Sequence, residues 1–175
     1  MKRKLVAALA CRNQGSRLYG KPLQNLDIDA RLTTLEYIVQ CLRTIPEISD
    51  IVLGISEGSD NHSFIDFARA KNVDFIIGDQ EDVLERLIQC TQRANGTDIF
   101  RVTTESPFCY FEAVESTWKT HVEGDFDLTA LDHLPDGAGF EIIKLAAYQY
   151  SHANGQRKHR SELCSLYIRE NKQKF

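Results

Sequence analysis

The chain has 175 residues, 42% of them hydrophobic and 26% charged, with a formal net charge of -4. That is enough for one domain with a real core, expected to span residues 1–175. The acidic balance argues against non-specific nucleic-acid binding, and no apolar run reaches membrane-spanning length. The Met1-Lys2-Arg3-Lys4 start leads into too short an apolar segment for a signal peptide, so a cytoplasmic protein with no nucleic-acid or membrane partner is expected. Cys11, Cys41, Cys90, Cys109 and Cys164 are scattered without a C-x-x-C pair, which predicts free, buried thiols in a reducing compartment. Cys11, beside arginines, is the one candidate for a catalytic thiol.

In chain order, Leu5 to Ala10 reads as a fully buried strand. Leu35, Ile38, Val39, Leu42 and Ile45 fall at helical spacing, with Thr33 or Thr34 as the cap and Pro46 as the stop. Ile51 to Ile55 is the second strand. Phe64, Ile65, Phe67 and Ala68 predict a helix, followed by a strand over Phe75 to Ile77. Val83, Leu84, Leu87 and Ile88 predict another helix, closed by Asn95-Gly96, and Ile99 to Val102 a further strand. A helix is expected over Phe111 to Val122. Asp127 to Thr129 and Phe140 to Lys144 then suggest an antiparallel addition, and Glu162 to Glu170 a last helix. This alternation predicts an α/β fold of three layers, a mostly parallel sheet with helices on both faces. Ligands on such sheets sit beyond the C-terminal strand ends. The segment after the first strand, Ser56-Glu57-Gly58, Gly78-Asp79 and Thr104-Glu105 would all gather there.

That first segment, Cys11 to Pro22, carries the chemistry. Gly15 and Gly20 permit close backbone approach, so that successive N–H groups, with that of Ser16 among them, point at one anion. Arg12, Arg17 and Lys21 add charge-assisted donors. The alternative is a solvated basic turn. The segment matches neither G-x-x-x-x-G-K-S/T nor G-x-G-x-x-G, so a different type of nucleotide loop is implied. Glu105, just past a buried strand, is a candidate Mg²⁺ ligand or else a surface carboxylate. Asp79, Glu81 and Asp82 precede a helix, where capping alone accounts for Glu81 and Asp82. Pro135-Asp136-Gly137 is a turn, with Glu141 following on a strand. His159, Arg160, Glu162 and Arg169 make a late polar set, and His62, His121, His133 and His152 show no ligand spacing and are expected at surface or capping positions. Asp125-Phe126-Asp127 spells the D-x-D of a metal-dependent glycosyltransferase but falls late, before a weak strand.

Taken in order, these segments resemble the sugar cytidylyltransferases of spore-coat polysaccharide biosynthesis, relatives of the acylneuraminate and Kdo cytidylyltransferases. The family's opening Q-A-R-x-G-S-x-R-L-P-G-K is met by Leu9 to Lys21, with Tyr19 in place of the usual proline. Its G-x-x-x-D-V-L-x-R appears as Gly78 to Arg86 and its R-V-T-G-D-x-P as Arg101 to Pro107. Its P-D-G turn is Pro135-Asp136-Gly137, and its E-H-V-T-x-Y-I-R-E-N helix corresponds to Glu162 to Asn171.

The resemblance implies a GT-A-like, Rossmann-like nucleotidyltransferase fold. It implies a reaction in which a sugar oxygen attacks the α-phosphate of CTP and releases pyrophosphate, and it implies dimerisation. Arg12, Arg17, Lys21 and the Gly15-Ser16 backbone would neutralise the leaving phosphates, with Arg12 and Lys21 catalytic. By the same analogy Gln80, Asp82 and Arg86 line the nucleotide pocket, and Asp136, Glu141, Glu162 and Arg169 the sugar side. Glu105 would hold Mg²⁺. The sequence departs from the family at four places. Glu105 replaces the metal-binding aspartate, D-V-E reads Gly139-Phe140-Glu141, and the late histidine is Leu163. The family's V-D-x-P-E-D segment, whose aspartate is a second metal ligand, has no counterpart before Phe175. These departures set a second expectation beside the enzyme: a catalytically weak nucleotide- or sugar-binding domain of a longer enzyme, or a reduced paralogue.

Overall fold

A computed structural model describes residues 2–14, 19–161 and 163–175. Its elements in chain order are β1 (Leu5–Cys11), β2 (Asn25–Asp27), β3 (Leu32–Thr33), α1 (Thr34–Arg43), β4 (Ile48–Ser56), α2 (His62–Lys71), β5 (Asp74–Gly78), α3 (Val83–Arg93), β6 (Asp98–Arg101), α4 (Val114–Glu123), β7 (Leu128–Ala130), β8 (Glu141–Lys144), α5 (Leu145–Asn154) and α6 (Leu166–Glu170). The main sheet has the order β5-β4-β1-β6-β8-β7. β4, β1 and β6 run parallel, as do β4 and β5, whereas β8 is antiparallel to both β6 and β7. The expected parallel sheet with an antiparallel addition is therefore the observed one.

β1 lies at the centre and is buried on both faces, which is why it reads as an unbroken apolar run. Leu5, Ala7, Leu9 and Cys11 point into one core, with Leu35, Ile38, Phe64 and Val114 from α1, α2 and α4. Val6 and Ala8 point into the other, with Leu84, Leu87, Tyr148 and Ile168 from α3, α5 and α6. Period-2 alternation along one strand thus serves two apolar layers.

Local signals set several boundaries. Thr33 caps α1 by accepting the Glu36 amide at 3.2 Å, and Asp82 caps α3 by accepting the Glu85 amide at 2.9 Å. Four elements depart from the sequence expectation. α6 begins at Leu166 rather than Glu162, β2 and β3 had no counterpart, and neither did α5. Its buried residues are Ala147, Tyr148 and Ser151, a stripe too small and polar to register as apolar periodicity.

At the N-terminal end of the parallel strands, Asp98 and His121 are fully buried. Asp98 receives Arg3 Nε at 3.0 Å and Thr97 Oγ1 at 2.7 Å, and lies 3.2 Å from His121 Nε2. His121 Nδ1 is 2.8 Å from Thr129 Oγ1. Burial alone would raise the Asp98 pKa, but hydrogen bonds from His121, Arg3 and Thr97 outweigh it and hold the carboxyl below its usual range. The surface role expected for His121 is corrected: it sits on the inward stripe of α4 with Val114 and Thr117.

Candidate nucleotide site

The C-terminal strand ends form the opposite edge. Gly20 adopts φ 64°, the left-handed region that glycine enters without steric cost, and its amide donates to Asn13 O at 2.9 Å. The segment between therefore leaves and returns at one point. Asn13, only 5% exposed, anchors that point: its amide donates to Asn61 Oδ1 at 2.8 Å and its Nδ2 to Ser63 Oγ at 3.0 Å. Asn61 Nδ2 in turn donates to Glu57 O at 3.1 Å. The loop is thus bolted to the β4–α2 connection through side-chain amides. Gly15, Ser16 and Arg17 lie outside the described residues.

Beyond Gly20 the chain makes a 3-10 turn, Lys21–Leu23. Lys21 Nζ meets Glu105 Oε2 at 3.2 Å, the two side chains 46% and 42% exposed. Thr104 Oγ1 donates to Ala10 O at 3.0 Å, fixing the segment that carries Glu105 against the end of β1. Across the edge, Gln80 Nε2 donates to Gln14 Oε1 at 2.9 Å, and Gln14 Nε2 reaches Asp60 Oδ2 at 3.3 Å. Lys21, Gln80 and Glu105 therefore gather on one edge, with Arg12 at the end of β1. Gln14, Asn13 and Asn61, to which the sequence reading assigned no role, complete the frame; uncharged amides near a glycine-rich turn carry no distinguishing pattern.

Arg86 and Asp82 lie beneath and behind this edge. Arg86 is 1% exposed. Its Nη1 donates to Cys11 O at 3.1 Å and Gly54 O at 2.9 Å, and its Nε has no hydrogen-bond partner among the described residues. Burial, with repulsion from Arg12, lowers its pKa, while proximity to Cys11 raises it. The room for this side chain comes from two glycines: a Cβ on Gly78 would lie 2.8 Å from Arg86 Cγ, and one on Gly54 3.0 Å from Cys90 Sγ and 3.3 Å from Arg86 Cβ. Arg86 thus braces the strand ends from below. Asp82, besides capping α3, is 2.8 Å from His152 Nε2 and receives Arg160 Nη1 at 3.3 Å. Asp79 accepts the amides of Glu81 and Asp82 at 2.7 and 2.8 Å, the capping role expected of such a cluster.

The residues of the sugar side form a second group around β8. Glu141 receives Arg101 Nη1 at 2.9 Å on one oxygen, and Arg169 Nη2 at 3.1 Å together with the Ser165 hydroxyl on the other. Arg169 also grips Asp132 with two bonds of 3.2 Å. Beside them the Tyr148 hydroxyl is fully buried and has no hydrogen-bond partner among the described residues. Asp136 is exposed on a turn that Tyr110 fastens through its amide to Ala138 O at 2.9 Å. Glu162 lies outside the described residues. Arg101, quoted within a motif but given no role, is the missed member of this group.

The thiols have no part in this edge. Cys11, Cys90, Cys109 and Cys164 are buried, and all five cysteines are free. Burial, against an opposing effect of Arg86, pushes the Cys11 thiol up to about 12. That is the reverse of what a nucleophile requires. Among the described residues no three His, Cys, Asp or Glu side chains are grouped to hold a metal ion. A site of the Mg²⁺ type, where one carboxylate is completed by substrate phosphate oxygens and water, would require no more than a single exposed carboxylate such as Glu105.

No protein-family model matches the chain. It is 22% identical over 172 residues to the uncharacterized protein MJ1063 of Methanocaldococcus jannaschii, covering 98% of this chain and 70% of that one. Among solved structures it is similar to a cytidylyltransferase from Leptospira borgpetersenii serovar Hardjo-bovis, with a TM-score of 0.88, 18% identity and coverage of 99% and 74% of the two chains. A CMP:2-keto-3-deoxy-manno-octonic acid synthetase complexed with CTP gives a TM-score of 0.70 at 12% identity, with 95% and 86% covered. At these identities the likeness establishes the architecture: this chain has the nucleotidyltransferase fold.

Proposed function

We propose that the chain is a sugar cytidylyltransferase of the spore-coat polysaccharide type, which transfers CMP from CTP to a sugar oxygen and releases pyrophosphate. One observation carries the reading. Lys21 and Glu105 meet at 3.2 Å across the C-terminal edge of the parallel strands, beside the loop that leaves β1. In the reaction an acceptor hydroxyl oxygen attacks the α-phosphorus and gives up its proton to water, the α–β phosphoanhydride bond breaks, and pyrophosphate departs. Lys21, Arg12 and Arg17, with the Gly15-Ser16 amides, meet the charge that builds on the leaving phosphates, so the protein contributes positioning and electrostatics. Glu105 is the residue that would hold Mg²⁺, which when bound supplies Lewis-acid charge at the phosphates. Gln80 lies on the nucleotide side, and Asp136 with the Arg101–Glu141–Arg169 group on the sugar side. Among the described residues no helix is long and apolar enough to cross a membrane.

A second reading, a nucleotide-binding domain with weak turnover, has its own support in Glu105, which stands where the resembled family has its metal-binding aspartate. Pyrophosphate release separates the two. With Mg²⁺ and a panel of acidic sugars, CTP is expected to give turnover above ATP, GTP and UTP. CTP binding without turnover supports the binding domain, and absence of both overturns the nucleotide site.

A further inference from the structure

Among the described residues Arg86 is the only lysine or arginine that is fully buried, and it forms an ion pair with none of them. Arg3 and Arg101, which reach partway into the fold, face the buried acids Asp98 and Glu141. Arg86 has no such acid. Both of its hydrogen bonds leave Nη1, for the carbonyls of Cys11 and Gly54, and its Nε meets no described acceptor. Exposed Asp79 feels its charge only as the last of four causes. Burial and the nearby charge of Arg12 both weigh against the ionised form.

Taking a guanidinium out of water without a counter-charge is costly, and an uncharged side chain of similar length would fill the same space without that cost. The charge stands where it can act on a ligand. Cys11 O belongs to the peptide that carries the Arg12 amide, so its bond to Arg86 fixes the plane from which the glycine-containing segment departs. Gly54, bonded at 2.9 Å, pairs in register with Ala10 of β1. Gly78, whose missing Cβ leaves room for Arg86 Cγ, ends β5 just before Asp79 and Gln80. One side chain therefore touches the ends of three parallel strands, beneath the edge that carries Lys21. A fixed charge in such a setting is poorly screened. We propose that Arg86 is a positioning residue of a phosphate site: it sets the Cys11–Arg12 peptide, and its uncompensated charge favours a polyanion above the strand ends. The proposal rests on the phosphate reading of this edge and deepens it, because the ligand supplies the counter-charge that the fold omits.

Calorimetric titration of the whole chain with inorganic triphosphate, without metal or base, tests this apart from cytidylyl transfer. The wild-type chain is expected to bind it saturably. Arg86→Lys, which keeps the charge, should hold affinity within about threefold, and Arg86→Met, which keeps a stem without the charge, should lose about tenfold or more. Rescue by lysine is what a purely packing role does not give. Equal affinity in Arg86→Met overturns the proposal, as does a loss in Arg86→Lys as large as in Arg86→Met. If Arg86→Met does not fold, the wild-type chain decides through the Arg86 Nε–H resonance, identified by its absence from Arg86→Lys. A shift of that resonance on saturation with triphosphate supports the proposal, and a stationary one overturns it. Failure of the wild-type chain to bind triphosphate overturns it together with the phosphate reading of the edge. Triphosphate binding that follows the charge at position 86, in a chain that releases no pyrophosphate from CTP, supports it and removes only the transferase reading.

Discussion

At the N-terminal end of the parallel strands, Asp98 is fully buried and satisfied by Arg3, Thr97 and His121. At the C-terminal end, Lys21 and Glu105 meet at 3.2 Å while nearly half exposed. Both ends concentrate charge, but only one is closed. A buried, fully partnered carboxylate is costly to disturb, whereas an exposed ion pair contributes at most about 1 kcal/mol and is readily exchanged for another partner. The contrast separates a closed end from an open one: the first holds the amino terminus and α4 to the sheet, and the second leaves its charges exposed to solvent.

The largest effect is expected at the closed end. Asp98→Asn removes the buried carboxylate that Arg3 and His121 share, leaving Arg3 only its exposed contact with Asp125, and should lower unfolding stability by about 3–5 kcal/mol, measured by urea denaturation at neutral pH. The pH dependence has a defined sign. Asp98 titrates below its ordinary value in the fold, so its stabilisation is fully present above the unfolded carboxyl pKa of about 4 and drains away as pH falls through the lower folded value. Wild-type stability should therefore decline in that acid window more steeply than that of Asp98→Asn. Parallel declines would remove Asp98 from that hold.

At the open end the effect should fall on ligand rather than on fold. Lys21→Ala is expected to weaken triphosphate binding and to reduce turnover by about 10²-fold, with thermal unfolding nearly unchanged; equal affinity for CTP in the variant would take the opening loop out of the site. Glu105→Gln is the smallest perturbation of the fold, about 0.5 kcal/mol or less in unfolding stability. It should nevertheless abolish any mutual enhancement between CTP and Mg²⁺ binding, which calorimetry of each in the presence of the other would read.

What the sequence disclosed follows the same division. β1, α1, β4 and α3 are legible because period and caps agree: an unbroken apolar run buried on two faces, Thr33 before α1, Asp82 before α3. α5 is not legible, since its inward stripe is Ala147, Tyr148 and Ser151. His121 was legible only in hindsight, seven residues after Val114 and four after Thr117 on one helix face. At the C-terminal edge Gly20 and Lys21 were readable because their chemistry is local. The Asn13–Asn61 and Gln14–Gln80 bonds were not, because each joins residues far apart in the chain. The position of Arg86 was invisible for another reason: a motif can specify an arginine without saying that its side chain turns inward to hold two carbonyls.

That inward turn has a consequence for descent. Arg86 fits because Gly54 and Gly78, on neighbouring strands, both lack a Cβ where its stem passes. A side chain at Gly78 collides with the arginine, and loss of the arginine strands the Cys11 and Gly54 carbonyls it serves. The three positions therefore behave as a single heritable character. Lineages that keep this strand end should keep all three, and those that abandon one should be found to have replaced the others with it.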